Sequence, residues 1–191
     1  AEPPDPPFPD DRRYHSGHLW VRRVGRERVR VGIDAFAGRL LAAVDGVILP
    51  PPGTPVRRDA ALCWVHDGAE VVPLRSPVTG RVTVTHGLVR QRPSLRREDP
   101  YGDGWLFEVR TRAASGTGSR AHNGTLLDSD AARAVAREQQ RELDREVRAF
   151  AVAPSTGEAG PTLQDGGVPF GDPRTILGPR RYYRTISAYL V

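Results

Sequence analysis

Between residues 14 and 112 the sequence is cut by Gly, Pro and Asp-Gly into β-rich runs of three to six residues. This punctuation constrains the fold more than any other feature. The runs fall at 19–24, 28–33, 47–49, 62–65, 70–72, 81–85 and 106–110, and each carries β-branched, aromatic or alternating apolar residues. They are too short to be read as helices. An isolated hairpin is marginal in water, so runs of this length have to pair into larger sheets. The predicted fold is therefore mainly β. His66-Asp67-Gly68-Ala69 joins two of the runs, and Asp67-Gly68 is expected to fill both turn positions of a hairpin, where φ is positive.

Helices flank this region. Asp34 is placed to cap a short helix over 35–44, whose Phe36, Leu40, Leu41 and Val44 share a face. Asp128 or Ser129 starts a second helix that runs to about Phe150, with Ala132, Val135, Leu143, Val147 and Phe150 as a narrow apolar stripe. The organisation reads as a Pro-rich arm (1–13), a β domain (14–112), a linker and amphipathic helix (113–153, with 113–124 flexible) and a Pro/Gly-rich tail (154–191). Pro154, Pro161, Pro169, Pro173 and Pro179 predict a tail without a long helix. It nevertheless ends in Tyr182, Tyr183, Ile186, Tyr189 and Leu190, too many apolar anchors for a solubilising linker. The tail either folds back over the domain or lies on another chain. The second is the preferred expectation, which makes these five the candidate partner-binding residues.

Four segments, in order, carry the resemblance of this chain to a known family. Tyr14-His15-Ser16-Gly17-His18-Leu19-Trp20 is similar to the family's opening Tyr-x-x-x-His-x-Trp. Val31-Gly32-Ile33, then Phe36-Ala37, Leu40 and Val47-Ile48-Leu49-Pro50 with Gly53, resembles its helix and following strand. Ser76-Pro77-Val78-Thr79-Gly80-Arg81-Val82 resembles its Ser-Pro-Val-Ser-Gly-x-Val turn, and Asp99-Pro100-Tyr101-Gly102-Asp103-Gly104-Trp105-Leu106 its late glycine-rich segment. These segments resemble the glycine cleavage H proteins, which implies a barrel-sandwich hybrid, the lipoyl-domain architecture, with small flanking helices; the Pro-rich composition adds an extended arm at each end. The resemblance also implies a lysine at a hairpin tip, in a context like Glu-Ser-Val-Lys-Ala, acylated by lipoate so that the arm visits separate active sites.

Here the chain departs from the pattern. All 28 residues in the Lys-plus-Arg class are Arg. Without a side-chain amine, neither an amide to lipoate nor a Schiff base can form through lysine. Counting without gaps from Gly53 to Ser76 places the family's lysine at Ala69, with His66-Asp67-Gly68-Ala69-Glu70 in place of its hairpin. No cofactor is expected.

Other chemistries are weakly supported. A net charge of +5 could suit nucleic acid, but the arginines are scattered among acids, as in Arg26-Glu27-Arg28, with no compact basic tract. Nucleic acid is disfavoured, and no apolar run is long enough for membrane insertion. Cys63, the single cysteine, cannot form an internal disulfide, which fits a cytoplasmic setting. On a strand Cys63 and Val65 point one way and His66 the other, so Cys63 reads as core and His66 as a turn residue rather than a metal site. His18 and Trp20 read as structural. Trp105 is expected to be buried, so that Trp105→Ala costs roughly 3–5 kcal/mol. The expected function is that of a non-catalytic, non-lipoylated accessory subunit docking on a larger protein complex through its barrel and arms. The alternatives are a carrier with an unconventional attachment, for example at Cys63, and an Arg-rich nucleic-acid binder.

Overall fold

The runs pair into two antiparallel sheets in a computed structural model that describes residues 6–111, 126–152 and 172–190. In chain order the elements are β1 (Arg13–Tyr14), β2 (Leu19–Arg23), β3 (Arg28–Ile33), α1 (Ala35–Leu40), β4 (Gly46–Ile48), β5 (Pro55–Val56), β6 (Ala61–Asp67) and β7 (Glu70–Arg75). They continue with β8 (Gly80–Thr85), α2 (Gly87–Gln91), α3 (Leu95–Glu98), β9 (Trp105–Arg110), α4 (Ser129–Val152), α5 (Pro173–Leu177) and α6 (Pro179–Leu190). The larger sheet has the order β1-β2-β3-β9-β8-β5 and the smaller β4-β6-β7. Leu19, Val31, Ile33, Val82, Phe107 and Val109 of the first share one apolar core with Val47, Cys63, Val65, Val72 and Leu74 of the second. The fold is mainly β with flanking helices, as expected from the punctuation. Burial of each such side chain contributes about 1.5–3 kcal/mol.

The helices close the ends of the core. Asp34 caps α1, its Oδ1 accepting from the Ala37 amide at 2.9 Å, and Phe36, Leu40, Leu41 and Val44 are buried although the helix itself ends at Leu40. Asp128 caps α4 by accepting from the Ala131 amide. That helix buries Ala132, Ala136, Leu143 and Val147, whereas Phe150 is exposed beneath the Arg181 guanidinium.

Three expectations are corrected. The tail over 172–190 is not extended. Pro173 and Pro179 each open a helix, where a missing N–H costs nothing, and twelve Pro-free positions follow the second. The candidate partner anchors Tyr182, Tyr183, Ile186, Tyr189 and Leu190 are all buried in the chain's own core, because their spacing places them on one face of α6 against the β domain. The linker 113–124 and Pro154, Pro161 and Pro169 lie outside the described residues.

The N-terminal arm, also expected to stay clear of the core, inserts Phe8 edge-on against Tyr14 at 5.2 Å. Tyr101 donates to the Pro7 carbonyl at 2.6 Å and Tyr14 to that of Pro9 at 2.8 Å, which ties the arm down.

Trp105 is only half-buried. A bulge between Val31 and Gly32 shifts the β3–β9 register and turns its ring outward. There it stacks on His86 with ring centres 4.0 Å apart, and the Arg30 guanidinium lies 4.4 Å from its centre.

Candidate functional site

The hairpin β6–β7 is the place to look for function. Asp67 pairs with Glu70, leaving a two-residue turn of Gly68-Ala69. Gly68 has φ +56°, while Ala69 does not enter the left-handed region. The turn is thus centred one residue later than expected, with only its first position needing glycine, the requirement of a type II′ turn. Ala69 is exposed. On β6, Cys63 and Val65 point inward and His66 outward, where its Nδ1 lies 3.0 Å from an Asp45 carboxylate oxygen.

The tail holds the base of this hairpin. Asp67 Oδ2 accepts from the Arg174 guanidinium at 2.6 Å and from the Tyr183 hydroxyl at 2.9 Å. Burial, reinforced by that carboxylate, pushes the Tyr183 phenol up to about 12. Tyr182 donates to the Leu40 carbonyl at 2.7 Å, and Ile186 and Leu190 complete the seal. Beside the tip, β7 and α6 border an open groove of about 340 Å³ lined by Glu70, Val71, Arg180, Tyr183, Arg184 and Ser187. Sequence reasoning missed this groove. The i, i+4 spacing of Arg180 and Arg184 was a visible signal, but only once 179–190 was read as a helix.

Attachment through Cys63 is corrected. Its thiol is fully buried and pushed up to about 12, so it is neither accessible nor nucleophilic near neutral pH. The histidines do not converge. His15 Nε2 lies 2.7 Å from Asp59, and His18 lies between Asp34 (2.7 Å) and Gln139 (2.5 Å). Among the described residues no group of three or more His, Cys, Asp or Glu could hold a metal ion, and no helix is long and apolar enough to cross a membrane.

The motif residues hold the fold rather than perform chemistry. Trp20 is buried and its indole N–H donates to the carbonyls of Ile33 at 3.1 Å and Pro100 at 2.9 Å. Asp99 accepts from the amides of Gly102 at 3.0 Å and Asp103 at 2.7 Å. A Cβ at Gly104 would lie 2.6 Å from the carbonyl oxygens of Leu95 and Asp99, so only glycine fits there.

Two sheets around one core, with a tight exposed hairpin, define a mainly β scaffold of the lipoyl-domain type. A family model for the glycine cleavage H-protein matches residues 12–138. The chain is 41% identical over 131 residues to the glycine cleavage system H protein of Mycolicibacterium smegmatis, covering 69% of this chain and 98% of that one. It is 37% identical over 127 residues to that of Mycolicibacterium vanbaalenii, covering 66% and 95%. The crystal structure of a glycine cleavage system H protein from Mycobacterium marinum superposes with a TM-score of 0.56 at 27% identity, over 66% of this chain and 96% of that one. The chain belongs to the glycine cleavage H-protein family. Its residues do not fit the family's lipoyl group, because no lysine is present to form the amide.

Proposed function

We propose that this protein is a non-lipoylated member of its family, acting as an accessory or scaffold subunit that docks on a larger protein complex. The carrying observation is the absence of lysine from all 191 residues, with Ala69 at the exposed turn where the family's lysine is expected. A methyl group cannot form the amide, and arginine elsewhere cannot replace the amine because its guanidinium stays protonated. The hairpin that carries Ala69 is held at its base by the bonds from Arg174 and Tyr183 to Asp67. The relatives are named for a glycine cleavage system, so an enzyme of such a system is the first partner to test. Docking would use the exposed surface of the β domain and of α6, because Phe8 and the apolar face of α6 are already buried.

Intact mass tests the reading. Incubation with lipoate ligase, ATP and lipoate should leave the mass of the wild-type chain unchanged. Ala69→Lys is the companion variant, and a lipoyl adduct on it alone would locate the family's attachment point. An adduct on the wild-type chain would overturn the proposal.

A further inference from the structure

The groove between β7 and α6 lies beyond residue 138, where the family match stops, on the side that α6 supplies. Its charges are distinctive. Of the four arginines on α5 and α6, Arg174 is bonded to Asp67 and Arg181 to Glu146 at 3.2 Å. Arg180 and Arg184 are exposed and have no carboxylate partner among the described residues. Their i, i+4 spacing brings them onto one side of the helix, about 5–6 Å apart at Cβ, with Ser187 on the same wall of the groove.

The opposite wall is Glu70 and Val71 of β7, and Val71 is paired across the strands with His66. Val71 is 55% exposed, and the neighbouring row of the same sheet face is Ile48-Trp64-Pro73, with Ile48 53% exposed. A β7 edge left bare would invite strand addition. Here α6 packs along β7, so a ligand meets side chains rather than free backbone groups.

We propose that this groove docks an acidic, partly apolar segment of a partner protein, with two carboxylates on Arg180 and Arg184 and an apolar side chain on Val71. This deepens the accessory-subunit reading by assigning its partner's chemistry. Charge complementarity selects the occupant, since each guanidinium can take a carboxylate in a two-point contact. In an extended Glu-x-Glu segment the two acids stand about 6.6 Å apart, close to the arginine spacing. Glu70 at the tip end of the groove opposes an acidic ligand.

The test uses the full chain and a fluorescein-labelled peptide of alternating Glu and Leu, with its Gln-for-Glu counterpart and a short DNA duplex as controls. Fluorescence anisotropy at low salt should show the acidic peptide binding more tightly than the Gln peptide or the duplex. R180A/R184A should weaken it about fivefold or more, the value of two exposed ion pairs. E70Q should tighten it. R26A/R110A, which removes two exposed arginines from the β2–β3 turn and β9, should leave it unchanged. Equal binding of the Gln peptide, equal loss in R26A/R110A, or displacement of the peptide by duplex DNA would overturn the proposal. These arms are independent of the mass measurement, so a lipoylated chain with an intact groove and a bare chain without one are distinct results.

Discussion

His18 adopts φ +63° in a buried site, and both of its ring nitrogens are engaged. Burial alone would favour the neutral ring. The Asp34 charge, its hydrogen bond and the Gln139 contact outweigh that and hold the imidazole above its ordinary value of 6.5. A raised folded-state value means the native protein binds this proton more tightly than the unfolded chain. The associated stability is present in full below about pH 6.5 and declines as pH rises through the folded value. Urea melts at a series of pH values should therefore show the gap between wild type and His18→Gln narrowing as pH rises. A constant gap would mean the His18–Asp34 contact is not an ion pair. The two aromatics of β9 are expected to part company. Phe107 is fully buried, so Phe107→Ala should cost roughly 3–5 kcal/mol. Trp105→Ala should cost less than about 2 kcal/mol, since an exposed cation–π contact contributes only about 0.5–1 kcal/mol. Equal losses in denaturant melts would place Trp105 in the core after all.

α6 is part of the domain it covers, and removing it has a definite expected cost. Truncation after residue 153 strips Tyr182, Tyr183, Ile186, Tyr189 and Leu190 from the core, so the melting temperature should fall sharply. An unchanged melting temperature would mean that α6 is not seated on the domain in solution. Tyr183→Phe removes one hydrogen bond to a carboxylate and should cost about 1.5 kcal/mol. The strands and α4 were legible because turn residues and periodicity act locally. The fate of the tail was not, because proline spacing forbids only a long helix. The twelve residues after Pro179 carry anchors at i, i+1, i+4, i+7 and i+8, a helical pattern that the prolines before them obscured. The bulge that turns Trp105 outward likewise has no local signal, since alternation along β9 fixes its sides only relative to a register set by β3.

At the scale of the whole molecule, one apolar cluster runs from Phe8 to Leu190 and joins both sheets to α4, α5 and α6. Melting followed by far-UV circular dichroism and by tryptophan fluorescence should accordingly give coincident transitions, whereas separate midpoints would divide the molecule into independent units. The β6–β7 hairpin was legible from Asp67-Gly68, although its turn lies one residue later, at Gly68-Ala69. The groove was not, because it needs two segments, 70–71 and 180–187, that only the fold brings together. The seclusion of Cys63 has a practical side. With no lysine on the surface and the one sulfhydryl sealed inside, the side chains offer common amine and maleimide reagents nothing to grip. Ala69→Cys would then create a single addressable point, and a nitroxide placed there would report, through its tumbling, how stiffly the hairpin is held.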